Sequence, residues 1–506
     1  MRQEGAGCIT MPEILLVTIN AKWIHPSLAL RLLKANLGDI EEPSPFHRHK
    51  KLSSESSAPV KCEILEFALR QPLREKVEPI LAARPRILGF SVSVWNHLAT
   101  LELLKALEES RDRVPSAAGR KPVVVLGGPE VSWLPEEAEI FQYADYVIRG
   151  EGEESFRSLC RELLSGKNIA GPPETGNPVF INRGSSVVDL NNIAPAYNLY
   201  TDEDLHKKLI YVEASRGCPF CCEFCQGGMH KVREFPLGSF LAEMGTLIDR
   251  GGRQFKFLDR TFNLNIERAV KIMEFFLDRI SAAKDSPPCV HFEMVPSLFS
   301  PELKEMLRRF PAGSLRLELG IQTFNPDAAV LIRRAGDRLS AARQSREALE
   351  TLEFLRRETN ALLHVDLIAG LPGEDGASFG AGFDRLWQTL SGGRAFEIQP
   401  GILKCLPGTT LSRHNDAYGM KYSPLPPYEV IETACLSAGE LSGIKNFARF
   451  WETIVNRGSF AGLVSRLVPP GEPVFNRFMG LSDRLLEKFG RNWGIGQAEM
   501  KLFLEE

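Results

Sequence analysis

Several common features are missing from this sequence, and each absence argues against a class of protein. There is no run of 18 apolar residues of the kind that spans a membrane. The opening stretch, MRQEGAGCITMPEILLV, lacks the apolar core and small-residue cleavage site of a signal peptide. Lysine and arginine number 61 against 64 acidic residues, so bulk charge does not indicate a nucleic-acid partner. We therefore expect a cytoplasmic protein with no membrane or nucleic-acid partner.

The sequence contains one dense cluster of cysteines and no second cysteine pair of the kind that forms a zinc knuckle. Cys218, Cys221, Cys222 and Cys225 lie within eight residues, and the other six cysteines are scattered. In a reducing compartment, clustered thiols more often hold metal or perform redox chemistry than form disulfides. Zinc usually takes four ligands from two knuckles, so this pattern argues against zinc.

The spacing Cys218-x3-Cys222-x2-Cys225 is instead suited to an iron–sulfur cluster. Three thiolates bind three of four irons and leave the fourth iron open to a substrate or cofactor. Gly217, just before the motif, gives the backbone the freedom to wrap closely around such a cluster. Cys221 is predicted to face away, although Cys218-x2-Cys221 stays open as an alternative register.

Short apolar runs alternate with helical patterns in two stretches, which is typical of parallel α/β sheets. The first stretch predicts a Rossmann-like (flavodoxin-like) sheet over 11–165, followed by a linker at 166–204. The second contains six strand–helix units and predicts a (β/α)6 partial TIM barrel over 205–410. A mostly helical region follows at 411–506. Ligands are expected at the carboxyl ends of the strands in both sheets.

The cysteine motif behind a first barrel strand resembles that of the radical S-adenosylmethionine (SAM) enzymes. The segments VHFEMVP, LRLELGIQTFN, IRRAG and VDLIAGLPGE are similar to strands of the coproporphyrinogen-oxidase-like branch of that family. The resemblance implies a [4Fe–4S] cluster that cleaves SAM to a 5′-deoxyadenosyl radical. It also implies the following SAM contacts: Glu293, Gln322, Arg334 and Asp366. A Gly-Gly-Glu-like turn, usual in this family after the second strand, is replaced here by LDRTFN. Asp259 or Thr261 is expected to replace the contacts of that turn with the SAM amino group.

The first sheet resembles the cobalamin-binding domain found in many of these enzymes, through its segments SVSVWN, LGGPEVSW and GEGEESF. The resemblance implies that small residues leave room for cobalamin at Ser91, Ser93, Gly127, Gly128, Gly150 and Gly152. The Asp-x-His-x-x-Gly signature that supplies a histidine to cobalt is absent. His25 has the wrong spacing and is interpreted as a loop or helix-start histidine. A sheet that has lost its cofactor stays the alternative.

The C-terminal stretch resembles a tail domain of one uncharacterised subgroup of cobalamin-type radical SAM proteins. Cys405, just past the sixth barrel strand, is interpreted as structural rather than as a hydrogen-atom donor. Together the resemblances imply methylation of an unactivated carbon of a small-molecule substrate, with flavodoxin or ferredoxin as the electron donor. A cobalamin-dependent cyclisation or rearrangement, or a non-catalytic cobalamin or cluster sensor, stay open as alternatives.

Overall fold

The structure is a computed structural model that forms two compact units. It describes residues 11–40, 60–111, 121–165, 177–182, 187–227, 230–283, 285–392 and 395–505. The first unit comprises Met1–Tyr211 with Glu243–Gly251, and the second comprises Val212–Ala242 with Gly252–Glu506. Residues 41–59 and part of the predicted linker at 166–204 lie outside the described residues.

The first unit is built on a parallel sheet. Its strands are β1 (Ile14–Asn20), β2 (Cys62–Ala68), β3 (Ile87–Ser91), β4 (Val123–Gly127), β5 (Tyr146–Ile148) and β6 (Val179–Ile181). They lie in the order β2-β1-β3-β4-β5-β6, which is the flavodoxin-like order extended by one edge strand. Its helices are α1 (Leu28–Ala35), α2 (Leu73–Ala83), α3 (His97–Arg111), α4 (Glu153–Leu164) and α5 (Asp202–Lys207).

Strand β1 shows why this sequence forms a central strand. Its alternate residues Leu15, Val17 and Ile19 enter one core, and Ile14 and Leu16 enter a second. Both faces of the sheet are therefore covered, which is why the strand reads as a continuous apolar run. A ligand can reach such a sheet only at its edges, and the carboxyl edge is the usual one.

The barrel region follows in the chain and lies mostly in the second unit. Its strands are β7 (Ile210–Val212), β8 (Ser215–Cys218), β9 (His230–Glu234), β10 (Gln254–Phe257), β11 (Cys289–Met294), β12 (Leu315–Gln322), β13 (Leu362–Ala369) and β14 (Phe396–Ile402). Six of them form a parallel sheet in the order β14-β13-β12-β11-β10-β7, and β8 pairs with β9 in an antiparallel ribbon. The helices are α6 (Leu237–Asp249), α7 (Ile266–Ala282), α8 (Pro301–Arg308), α9 (Pro326–Leu331), α10 (Arg338–Glu358) and α11 (Gly376–Leu390).

Burial alternates along the barrel strands and defines an inner wall. In β12 the residues Leu315, Leu317, Leu319 and Ile321 are buried, whereas the intervening residues are less so. Strand β13 alternates in the same way, with His364 and Asp366 on the less buried face. The apolar face packs under the helices, and the opposite face, here called the inner wall, carries polar side chains.

The C-terminal region is mostly helical, as predicted. It contains α12 (Asn415–Tyr418), β15 (Lys421–Tyr422), β16 (Val430–Glu432), α13 (Ala438–Trp451), α14 (Ala461–Leu467), α15 (Phe475–Phe489) and α16 (Gln497–Glu505). Phe447, Phe450 and Trp451 on α13 are buried, and Trp451 contacts Phe478 of α15 edge to face. These buried aromatic side chains form a core.

The predicted fold class is confirmed: a Rossmann-like parallel sheet, a six-stranded partial barrel and a helical C-terminal region. The sequence analysis missed three elements, namely the edge strand β6, the ribbon β8–β9 and the short pair β15–β16. The exact domain boundaries stay predictions. Among the described residues, no helix has the length and apolar character needed to cross a membrane.

Candidate functional site

Three cysteines share one loop beyond the carboxyl end of β7. Cys218 ends β8, and Cys222 and Cys225 follow within seven residues. All three are partly buried, whereas Cys221 is exposed. Burial raises the pKa of the Cys222 thiol, and the neighbouring Cys225 and Cys218 raise it further. The three predicted ligands are therefore close enough to interact electrostatically, and Cys221 has a different environment.

The surroundings of these thiols fit a four-iron cluster. Gly217 has a φ of +100°, a conformation that favours glycine and turns the chain back beside Cys218. The amide of Gly227 donates to Cys225 Sγ at 3.4 Å. In the part of the chain that the structure describes, no three His, Cys, Asp or Glu side chains converge on one metal ion. A cluster that takes one thiolate per iron does not need that convergence.

Arg334 supplies positive charge next to the thiols. Its Nη1 lies 3.9 Å from Cys222 Sγ, and its Nη2 donates to the carbonyl of Gly320 at 2.6 Å. Its charge opposes the rise in the pKa of Cys222. Arg334 thus connects the cysteine loop to the end of β12 and keeps its charged group at the thiols.

Gln322 lies at an irregular end of β12. The register between β12 and β13 shifts between Gly320 and Gln322. Gln322 has a φ of +71°, which is unusual for a residue other than glycine. Strained conformations of this kind persist where the surroundings enforce them, and they are concentrated at functional sites. The bulge brings Gln322 to the same strand end that Arg334 contacts through Gly320.

Glu293 and Asp366 both lie on the inner wall of the barrel. Burial raises the pKa of Glu293 to about 7, and the nearby Glu318 adds to the rise. Burial also raises the pKa of Asp366, whereas an ion pair with His364 at 3.3 Å opposes it. The charge of Asp366 also raises the pKa of Glu293, so the structure brings the two carboxylates together on one wall.

Asp259 and Thr261 follow β10 in the segment that replaces the expected glycine-rich turn. Asp259 is buried and accepts hydrogen bonds from the amide of Ala214 at 2.9 Å and from the hydroxyl of Ser215 at 2.5 Å. Burial raises its pKa to about 6. Thr261 Oγ1 lies 3.6 Å from Cys218 Sγ. Asp259 therefore fastens the start of β8, and Thr261 is the residue of the two that faces the cysteines.

A pocket opens beside the cysteine loop. Its lining includes Cys222, Arg334, Gly320 and Thr323, together with residues 295–297 after β11. Helix α10 closes the other side with Ala341, Gln344, Ser345 and Ala348. The pocket joins a predicted cluster ligand to a predicted SAM contact, so it is the natural candidate for the SAM site.

The inner wall also holds contacts between polar and charged side chains that the sequence analysis did not identify. Glu318 lies between Lys256 at 3.0 Å and His291 at 3.1 Å. His364 lies between Asp366 and Glu397, at 3.3 and 2.8 Å. Its two carboxylate partners outweigh burial and raise the pKa of His364 to about 10. We call these six residues the inner-wall belt. These polar residues alternate with apolar ones along β10 to β14, and this alternation could have identified them as a polar inner face from the sequence.

In the first unit, the predicted cobalamin residues lie at or just after strand ends. Ser91 ends β3 and Gly127 ends β4, and Ser93 and Gly128 lie just beyond them. A Cβ at Gly127 would meet only the Ile148 carbonyl within 4 Å, at 3.8 Å, so this edge is open. Gly128 differs, because its φ is +110° and a Cβ would lie 2.5 Å from the Val92 carbonyl.

The turn after β5 completes this edge. Gly150 has a φ of +78°, and its amide donates to Ser132 Oγ at 3.0 Å. Ser132 Oγ donates in turn to the carbonyl of Gly128 at 2.8 Å. Gly152 caps the start of α4. The six predicted small residues thus share the carboxyl edge of one sheet, where the fold places its ligands.

Three exposed tryptophans mark the same edge and were not predicted. Trp23 follows β1, Trp95 follows β3 and Trp133 follows β4, with exposed fractions of 51%, 54% and 45%. Large exposed apolar side chains that follow several strands of one sheet indicate a binding surface. Each tryptophan comes within a few residues of a strand end in the sequence, which was the signal that could have identified them.

Two further residues from the sequence analysis have defined surroundings. His25 lies in the loop before α1, and its Nδ1 is 2.8 Å from the hydroxyl of Tyr211. Cys405 follows β14, and its amide donates to the carbonyl of Tyr428 at 3.0 Å. Burial raises the pKa of the Cys405 thiol. The structural role of Cys405 stays a prediction.

Comparison with protein families gives three matches in sequence. Residues 15–160 match the B12 binding domain, and residues 212–384 match the Radical SAM superfamily. Residues 416–488 match a protein family of unknown function, DUF4080. The B12 binding domain implies cobalamin, and the radical SAM domain implies a [4Fe–4S] cluster and SAM.

Two curated relatives are methyltransferases by name. The 2-(S-pantetheinyl)-carbapenam-3-carboxylate methyltransferase of Streptantibioticus cattleyicolor is 24% identical over 67% of this chain and 50% of its own length. The cobalamin-dependent radical SAM methyltransferase TokK of Streptomyces tokunonensis is 28% identical over 32% of this chain and 25% of its own length. The chain thus spans between a quarter and a half of these relatives.

Solved structures share the fold at lower identity. TsrM from Kitasatospora setae, with cobalamin and a [4Fe–4S] cluster bound, has a TM-score of 0.56 at 18% identity over 85% of this chain and 81% of its own. The cobalamin-dependent SAM radical enzyme OxsB has a TM-score of 0.62 at 12% identity over 98% and 78%. The chain belongs to the radical SAM proteins with an N-terminal cobalamin-binding domain, in the subgroup that carries a C-terminal DUF4080 domain.

Proposed function

We propose that this protein is a radical SAM enzyme that methylates an unactivated carbon of a small-molecule substrate. The observation that carries the proposal is that Cys222 of the three-cysteine loop and Arg334 lie 3.9 Å apart and line one pocket. The names of the curated relatives support methyl transfer as the reaction. When bound, the cluster, SAM and cobalamin supply reductive SAM cleavage, hydrogen-atom abstraction and a transferable methyl group.

The cysteine loop has two tasks in this proposal. The thiolates of Cys218, Cys222 and Cys225 hold the cluster, and Arg334 offsets part of their negative charge. A guanidinium in this position can also bind the SAM carboxylate through two parallel hydrogen bonds. Gln322 offers an amide at the same strand end and can orient that carboxylate. Thr261 lies next to Cys218 and can accept a hydrogen bond from the SAM amino group.

The inner wall binds the other end of SAM. Glu293 has a pKa near neutrality, so it exists in both protonation states and can accept or donate a hydrogen bond. Asp366 is held by His364 and offers a carboxylate oxygen to a ribose hydroxyl. In the first unit, Gly127 and its neighbours leave the carboxyl edge of the sheet open for cobalamin.

A reducing setting follows from the chemistry of the site. The thiols must stay reduced, which favours the cytoplasm over an oxidising compartment. Reductive cleavage of SAM also needs an electron donor, and flavodoxin or ferredoxin is the proposed partner.

The proposal is tested by anaerobic reconstitution with iron, sulfide and cobalamin, followed by dithionite and SAM. We expect 5′-deoxyadenosine from the wild type and from Cys221→Ala, but none from Cys222→Ala. Cys221→Ala is the matched control, because it removes a thiol from the same loop without removing a proposed ligand. Failure of the wild type to take up any cluster would refute the proposal.

The second measurement separates the enzymatic alternatives. Methyl transfer from SAM releases S-adenosylhomocysteine, whereas cyclisation or rearrangement does not. S-adenosylhomocysteine together with 5′-deoxyadenosine supports the methyltransferase. 5′-Deoxyadenosine alone, in the presence of a turned-over substrate, favours cyclisation or rearrangement. Neither product from a fully loaded protein favours the sensor.

A further inference from the structure

Glu223 is a buried carboxylate inside the cysteine loop, between Cys222 and Cys225. The residue is 2% exposed, and it is the only charged side chain among the described residues of 219–227. An isolated buried carboxylate is unfavourable unless cations and hydrogen-bond donors surround it. Its partners therefore reveal what the loop is fastened to.

Two arginine side chains and one histidine side chain converge on Glu223. Arg333 Nε lies 2.9 Å and Arg413 Nη2 2.5 Å from Oε1, as ion pairs that are not aligned as hydrogen bonds. His414 Nε2 lies 2.8 Å from Oε2 and 3.2 Å from the carbonyl of Leu331. Arg413 Nε lies 3.3 Å from the same ring nitrogen. Arg333 follows α9, whereas Arg413 and His414 follow β14.

Two further hydrogen bonds join the same segments. The amide of Glu223 donates to the carbonyl of Ile332 at 3.1 Å. The side-chain amide of Gln226 donates to the carbonyl of Pro407 at 2.8 Å. The cysteine loop is therefore tied on one side to residues 331–333 and on the other to residues 407–414. Neither segment contributes a predicted cluster ligand.

The second of these segments has a special place in the chain. It leads from β14 into the C-terminal region, and the DUF4080 match begins at residue 416, two residues after His414. The first segment carries Arg333, which has a φ of +54° and directly precedes Arg334. Glu223 thus joins the cluster loop, the segment of the proposed SAM-binding arginine and the entry to the C-terminal domain.

The geometry points to Glu223 as a positioning residue that latches the cluster loop to Arg333 and to Arg413–His414. The latch holds Cys222 and Cys225 in place before a cluster is bound, and it gives the segment entering the C-terminal domain a part in retaining the cluster. This inference rests on the proposed cluster site, but its main readout does not require a cluster.

The test measures alkylation of individual cysteines in the reduced, cluster-free full-length protein. Iodoacetamide labelling is followed by peptide mass spectrometry, and the exposed Cys221 serves as the internal reference. Glu223→Gln keeps the size of the side chain and removes its charge. Arg413→Gln changes a half-exposed partner outside the loop, so the core stays intact. Arg338→Gln is the matched control, because it breaks an exposed ion pair with Asp327 that does not touch the loop.

We expect Cys222 and Cys225 to be labelled about tenfold faster relative to Cys221 in both latch variants. The double variant should resemble the single variants, because both changes break the same contact. Arg338→Gln should label like the wild type. Unchanged labelling in both latch variants would overturn the latch, and so would equal acceleration in the control.

A second readout uses the reconstituted protein. Release of iron to a chelator should be faster in Glu223→Gln and Arg413→Gln than in the wild type, with unchanged iron content at the start. Equal release rates would contradict a role in cluster retention. If the wild type takes up no cluster while the labelling difference persists, the proposed function fails and the latch stands.

Discussion

Gly127 and Gly128 are neighbours in sequence, but their replacement by alanine is expected to affect stability very differently. At Gly128 a φ of +110° is a conformation that side-chain-bearing residues rarely adopt. The added Cβ would also lie 2.5 Å from the carbonyl oxygen and 2.9 Å from the amide nitrogen of Val92. Both atoms belong to the backbone, so no side chain can rotate away to relieve the contact.

The loss of stability in Gly128→Ala follows from the unfavourable φ and from the close contact with Val92. A residue held in a sparsely populated backbone conformation costs about 1–3 kcal/mol. The close contact with Val92 adds to this, because the backbone beyond β3 must move. We expect the free energy of unfolding of the first unit to fall by about 3 kcal/mol or more. Gly127→Ala lacks both terms, so its effect on stability should stay within about 1 kcal/mol.

The two variants are compared by amide hydrogen exchange of β3 and β4 and by titration with cobalamin. Gly128→Ala should lose protection in both strands. Gly127→Ala should keep its protection but bind cobalamin about tenfold more weakly, because a methyl group in a close-packed site costs about 1–3 kcal/mol. Wild-type protection in Gly128→Ala would refute the conformational argument. Wild-type cobalamin affinity in Gly127→Ala would show that the cofactor does not approach this strand end.

Three further predictions follow from other sites. Gln322→Gly should raise the free energy of unfolding by about 0.5–1 kcal/mol, because glycine adopts a positive φ without strain, and a thermal melt measures this change. The same variant should form less 5′-deoxyadenosine, and an unchanged amount of product would remove Gln322 from the SAM site. Glu374 is buried in the loop after β13, and burial raises its pKa to about 7, so the folded state loses stability as the pH rises from 4.5 towards 7. Glu374→Gln should therefore be more stable than the wild type at pH 8, by about 3 kcal/mol at most. In urea unfolding, this difference in stability should become smaller towards pH 4.5, and a difference that does not change with pH would contradict the prediction. Cobalamin should quench the fluorescence of Trp23, Trp95 and Trp133, and Trp95→Phe should reduce the amplitude of quenching; a triple Phe variant that quenches like the wild type would place cobalamin elsewhere.

The order of elements could be predicted from the sequence because both sheets are parallel. Their strands are buried on at least one face, so each reads as an apolar run such as ILLVTIN in β1, and helices separate them. The cysteine spacing could be recognised for a similar reason, since all three ligands lie in one loop. Strand β6 and the ribbon β8–β9 are short and partly exposed, and their sequences carry no comparable pattern.

The site could be predicted only in part, because several of its features depend on distant contacts. The positive φ of Gln322 arises from the register shift between β12 and β13, which no local pattern encodes. Glu223 looks like one more acidic residue until the partners 110 and about 190 positions later come into contact with it. Asp259 was predicted as a SAM contact, but its role in fastening Ala214 and Ser215 becomes visible only when β7 and β10 lie side by side.

The inner-wall belt has a consequence for hydration. Closed (β/α)8 barrels fill their interior with layers of branched apolar side chains. Here the corresponding wall carries Lys256, His291, Glu318, His364, Asp366 and Glu397, and polar groups of this kind are costly to remove from water without new hydrogen bonds. A molecule that enters must offer hydrogen bonds in exchange for those to solvent. Polar molecules can do so, whereas a purely hydrocarbon molecule would leave the charged groups without hydrogen-bond partners. The hydration of the wall therefore selects against apolar compounds at the binding step.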